Sequence, residues 1–368
     1  MRRKRGTAFT PFVLLCASAL FVSFTPTAGA SSRVDLDELG ADLENQVSQF
    51  QQETVDGQTR DTLSVHDSLV PVSLRHQLRN EADGIKETGT LKITDTDATL
   101  EGDPQILSTY VNGSPHEVLY TLILQQTIMP LQHFPQDTDD DSTNSKAMVP
   151  ITIVLDTDGK VSTSTYETLM DHHEGSISLE DFLQGPADYS APFSIDTSVS
   201  PLSTRSIPEQ NRVNRVVSYA LEWWNRRNPR YISFDTDCAN FVSQSLHAGG
   251  WRMLDGGKKV SGAWWAYEKD ASWSWSAAEN LYRNLLERKR GYVLANVNQL
   301  SPSDVLMYRF EGKNMAHAMV VTKVSGGVPY LTYHTTDRIN YPFTALKKDV
   351  PSARFVPIRT RLDQITYD

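Results

Sequence analysis

Asp237-Cys238-Ala239-Asn240-Phe241-Val242-Ser243-Gln244-Ser245-Leu246-His247-Ala248-Gly249-Gly250-Trp251 is the stretch on which the fold turns. Phe241, Val242, Ser245 and Leu246 recur at i+3/i+4 spacing, the period of a helix with a buried face. Asp235, Thr236 and Asp237 are cap-forming residues ahead of it, and Gly249-Gly250 is a helix stop. This reading places Cys238 in the first turn of a buried helix. First-turn amides have no intrahelical partner and carry about half a positive charge, which favours a thiolate. A free thiol with a pKa near 8.5 is only a few per cent ionised at neutral pH, and each unit of depression is worth about 1.4 kcal/mol. The position therefore predicts an ionised, nucleophilic sulfur.

A thiol nucleophile needs a base, usually histidine. The carboxy-terminal half offers His247, His317 and His334. His247 lies nine residues beyond Cys238 on the same predicted helix, about two and a half turns away, and reads as packing or surface. His317 lies in Met315-Ala316-His317-Ala318-Met319-Val320-Val321-Thr322, and His334 in Tyr330-Leu331-Thr332-Tyr333-His334-Thr335. Both read as strands, joined by a hairpin turn around Ser325-Gly326-Gly327. Such a pair sets both imidazoles against the amino end of the cysteine helix.

Asp237-Cys238-Ala239-Asn240-Phe241-Val242-Ser243-Gln244 followed by Ala248-Gly249-Gly250-Trp251 resembles the signature of the bacterial putative amidase domain. The leading helix, with Tyr219-Ala220-Leu221 and Trp223, and Asn228-Pro229 after it, is similar too. Ser303-Asp304-Val305-Leu306-Met307-Tyr308 ahead of the His317 strand matches the strand pair of NlpC-type and CHAP-type cell-wall hydrolases. The likeness covers about residues 210–358. It implies an α+β, papain-like domain whose nucleophile helix packs on an antiparallel sheet. It further implies Cys238 as nucleophile, His317 as general base and later acid, and His334 as the orienting third residue, with Asp337 in reserve. The Cys238 amide would hold the oxyanion, with an upstream donor not identified. No metal or cofactor is implied. Ala239 and Ser245 stand where these families often carry Thr and Cys, and neither is a reacting group.

Working outward, all seven tryptophans lie between Trp223 and Trp275. Trp264-Trp265 and Trp273-Ser274-Trp275 admit two readings, a groove that stacks sugar or peptide, or the core of a small domain. Residues 31–200 hold 30 acidic and 8 basic side chains, a net of −22, whereas 201–368 carry 15 and 23, a net of +8. Opposite signs predict separate domains, able to contact one another within the chain. The cations are scattered with no aromatic-interleaved motif, so nucleic acid is set aside.

Before the linker at 183–208, rich in Pro, Ser and Thr, helical spacing runs from Val34 to Val55 through Leu36, Leu39, Leu43, Val47 and Phe50. A second helix is read from Val72 to Ile85. Strands are read at 90–100, 117–129 and 148–154, with a hairpin turn at Asp158-Gly159. The domain plan is thus a leader (1–30), a small acidic α+β domain (31–182), the linker, and the papain-like domain (209–368). Asp137-Thr138-Asp139-Asp140-Asp141 reads as a solvated acidic turn, and His172-His173-Glu174 as a surface loop.

Arg2, Arg3, Lys4 and Arg5, an apolar run from about Phe12 to Phe24, and Ala28-Gly29-Ala30 read as a secretory leader. The run is shorter than the ~20 residues of a spanning helix, so no stable membrane insertion is expected. Removing it leaves Cys238 as the single cysteine of an extracellular protein, a thiol retained without a disulfide partner. These readings converge on a secreted, cell-wall-associated thiol hydrolase of peptidoglycan peptides or other amides. Two alternatives stay open, a non-catalytic wall-binding module and an acyl transferase.

Overall fold

Asp35 starts the first helix, its carboxylate accepting from the amides of Asp37 and Glu38 at 3.0 and 3.2 Å. Helix α1 (Leu36–Val55) buries Leu43, Val47 and Phe50, and α2 (Val72–Lys86) buries Leu74 and Leu78. The first stripe is the one read from the sequence, and the second helix lies where the sequence places it. They pack on strands β1 (Leu91–Leu100), β3 (Pro115–Pro130) and β4 (Thr143–Leu155), with short β2 (Gln105–Thr109) beside β3. Asp156 takes the amides of Asp158 and Lys160, both at 2.9 Å, and Gly159 adopts φ +80°, which turns the chain into β5 (Val161–Thr165).

The computed structural model describes residues 34–57, 69–138, 141–166 and 207–362, all in one compact unit. The leader, the His172-His173-Glu174 stretch and residues 183–206 of the linker lie outside them. No helix among the described residues is long and apolar enough to cross a membrane.

The second half opens with α3 (Ile207–Trp223), which buries Val213, Val216 and Ala220, and α4 (Cys238–Ala248). Helix α3 ends at Trp223, whose carbonyl accepts from His334 Nε2 at 2.7 Å. Gly249 after α4 meets α3 closely, since a Cβ there would lie 2.4 Å from Val216. The chain continues through α5 (Trp273–Ser276), α6 (Ala278–Glu287) and the strands β6 (Gly291–Val293), β7 (Val305–Arg309), β8 (Met315–Ser325), β9 (Val328–Tyr333) and β10 (Arg338–Pro342). Helix α7 (Phe343–Asp349) and β11 (Arg354–Thr360) complete it.

The fold is mixed α+β around one large antiparallel sheet, ordered β1-β3-β4-β10-β9-β8-β7-β11-β6 among the described residues. Strand alternation sends Val305, Met307, Ala318 and Val320 toward α4, and Leu306, Tyr308, Met319 and Val321 toward α7. The sequence separates 31–182 from 209–368, yet strands from both stretches meet in this sheet. Ala147 pairs with Arg338 and Lys146 with Ile339, and the Met148 amide donates to Asp337 O at 2.9 Å. Beside this seam the buried pair Glu81–Arg338 closes at 3.0 Å, and Gln77 and Gln126 donate to the same carboxylate. Asp137 takes the amides of Gly326 and Gly327, each at 2.9 Å, so the acidic turn holds the β8–β9 hairpin.

The tryptophans divide. Trp251, Trp264 and Trp275 are buried against one another, with ring centroids 5.9 and 4.4 Å apart, and Trp224 is buried too. Trp223, Trp265 and Trp273 are half-buried. Core building therefore claims most of them.

Candidate active site

Nine consecutive residues of α4, Cys238 to Leu246, are buried. Their polar side chains are consequently bonded. Asn240 donates to Ile232 O at 2.8 Å and accepts from Trp275 Nε1 at 2.7 Å, and Ser243 donates to Trp275 O at 2.8 Å. Gln244 accepts from Tyr219 OH at 2.6 Å. These bonds fix the helix against α3 and the tryptophan cluster, and thereby the position of its first residue.

Asp237 stands at the N-cap of α4 but makes no side-chain cap. This departs from the sequence expectation, and the reason is competition for its carboxylate. Oδ1 accepts from Phe234 N at 3.1 Å and Asn240 Nδ2 at 2.7 Å, while Oδ2 faces His334 Nδ1 at 2.6 Å and Arg227 Nε at 3.4 Å. The first-turn amides of the cysteine helix are left without a side-chain cap.

Cys238 is 7% exposed. Burial pushes its thiol up to about 11, the Ala318 amide draws it down, the Asp237 carboxylate raises it, and the two first-turn amides lower it again. Desolvation wins, so the resting sulfur is a protonated thiol and not the thiolate expected from helix position alone.

His317 is also buried, and faces Tyr308 across the β7–β8 pair. The phenol of Tyr308 is driven up first by burial and then by charge at Cys238. The His317 ring stands 5.5 Å from that of Tyr308 and 5.0 Å, edge-on, from that of Tyr333. These aromatic walls are the neighbours that sequence reasoning missed, because a tyrosine on a buried strand looks like any other core residue.

His334 does not take the orienting place. Both its nitrogens are committed, to the Asp237 carboxylate and to the Trp223 carbonyl, and its ring lies 4.1 Å from Phe241. Asp337 is likewise engaged, gripped by Arg227 through two bonds of 2.9 and 3.0 Å. The structure thus draws His334 and Asp337 to the loop before the cysteine, whereas His317, opposite Tyr308 in the β7–β8 register, shares the sheet face of Tyr308 and Tyr333. His247 bonds Trp251 O at 2.7 Å and is packing. No group of three or more His, Cys, Asp or Glu among the described residues is arranged to hold a metal ion.

Residues 210–356 match the family profile described as Putative amidase domain. Among curated proteins the chain is similar to Uncharacterized protein YhbB of Bacillus subtilis (strain 168), 38% identical over 131 residues, or 34% of this chain and 42% of that protein. It is also similar to Uncharacterized protein YjcM of the same organism, 27% identical over 127 residues, 34% of this chain and 31% of that one. The chain thus spans less than half the length of either relative. No solved structure matches it.

Proposed function

We propose that this chain is a cysteine-dependent hydrolase of amide bonds, built on a papain-like arrangement of the NlpC and CHAP kind. The observation that carries this reading is the free Cys238, first residue of a buried helix whose N-cap Asp237 leaves the first-turn amides uncapped. The match of 210–356 to an amidase profile supports it.

His317 takes the thiol proton as Sγ attacks the substrate carbonyl carbon, so that attack and deprotonation are one event. The amides of Cys238 and Ala239 receive the oxyanion. The C–N bond breaks, His317 returns the proton to the leaving amine, and a thioester remains. Water then attacks it through His317, releasing the acid and restoring the thiol. Peptide amides of peptidoglycan are the substrate class this reading favours, from the leader-like amino terminus and the resemblance to wall hydrolases. In the test, wall fragments are incubated with wild type, Cys238→Ala and His317→Ala, and released amine is measured. Release by wild type that both variants abolish is expected. Equal release by Cys238→Ala refutes the reading, as would wall binding by wild type with no release.

A further inference from the structure

We propose that Asp237 is the positioning residue of the cysteine and that Arg227 sets the charge it presents to the sulfur, a role that rests on the hydrolase reading above. A capping aspartate would saturate the first-turn amides. Here the carboxylate is fully buried and turned onto Phe234, Asn240, His334 and Arg227. Those amides therefore carry no side-chain cap. A buried carboxylate one residue from a nucleophile opposes its ionisation unless cations stand against it. Arg227, with its side chain 32% exposed, supplies one and bridges Asp237 to Asp337.

The loop is clamped from the far side as well. The Asp237 amide donates to Thr335 Oγ1 at 3.0 Å. Thr335 and Thr336 hold φ of +67° and +57°, a left-handed backbone that L residues other than Asn and Asp seldom adopt. That strain sits in the turn that delivers His334, Thr335 and Asp337 to the loop before the cysteine. The charged and titratable groups that bear on the sulfur are therefore Asp237 and Tyr308 of β7, with Arg227 and His334 acting through Asp237.

The test is the iodoacetamide alkylation rate of Cys238 in the full chain at a fixed pH of about 8, where the rate follows the thiolate fraction. Asp237→Asn removes the opposing charge and is expected to raise the rate roughly threefold or more, a shift of about half a pH unit. Arg227→Gln unmasks that charge and lowers the rate by a similar factor. Arg227→Lys restores it, and Arg227→Gln adds nothing once Asp237→Asn is present. Loosening of the loop would raise the rate in every variant, so a rise or no change in Arg227→Gln overturns the proposal. Should Asp237→Asn fail to fold, the Gln-to-Lys rescue at position 227 still decides. Absence of amine release by wild type would sink the hydrolase reading while leaving this ordering of rates intact. A lost ordering with release preserved would sink the positioning role alone.

Discussion

Cys238 is where two opposing effects on one atom can be compared directly. The helix terminus favours the thiolate and desolvation favours the thiol, and burial places the balance at about 11. Alkylation of the wild type is therefore expected to keep climbing above pH 8.5, and a plateau reached near pH 6 would contradict it. A sulfur protonated at rest needs its base during attack, so His317→Ala is expected to lower turnover on wall peptides by about 10²–10⁴-fold. His334→Gln should act differently. It leaves the Asp237 carboxylate and the Trp223 carbonyl short of a donor, and each loss costs about 1–3 kcal/mol in thermal or denaturant unfolding. The position of the cysteine on its helix was legible in the sequence. Its ionisation was not, because that depends on how completely a distant core closes over it.

The elements with strong periodicity, α1, α2, α4 and the β3–β4 pair, could be read from residue order because each buries a regular stripe. Strand β10 could not. Arg338-Ile339-Asn340-Tyr341-Pro342 has neither alternation nor β-branched enrichment, and it is a strand because β9 and β4 flank it. Assignment of His334 to the third catalytic place failed for a related reason. Counting along β9 does not reveal that the turn beyond it swings back onto the cysteine loop. Helices α2 and α7 meet where Gly84 has no side chain, and a Cβ there would lie 2.5 Å from Thr344 O. Gly84→Ala should accordingly force the helices apart and destabilise the fold by about 1–3 kcal/mol in urea unfolding, despite its gain in helix propensity.

For the molecule as a whole, the seam between β4 and β10 decides what can be separated. A fragment of residues 207–368 loses the partner of β10 and the Glu81 carboxylate, leaving the Arg338 guanidinium buried without its counter-ion. Such a fragment is expected to aggregate or melt well below the full chain in calorimetry. A soluble fragment of higher activity would instead support an inhibitory amino-terminal half. The same seam carries a pH signature. Burial, reinforced by Glu81, pushes Asp349 up to about 8. Unfolded, it ionises near 4, so between these values the folded state binds the extra proton and stability falls as pH rises, by up to about 1.4 kcal/mol per pH unit. Unfolding of Asp349→Asn measured from pH 5 to 8 should lose this slope, and an unchanged slope would assign it elsewhere.

The cross-strand contact of Ala147 with Arg338 also bears on how the chain is made. Its halves are roughly 190 residues apart in the order of synthesis, so the inner edge of β4 emerges long before its neighbour exists. Until then it is an open, apolar template for another nascent chain. Closing so distant a pair is slow by loop entropy. The yield of native protein should therefore be limited by the lifetime of that bare edge, and dilution or a holdase during synthesis should raise it.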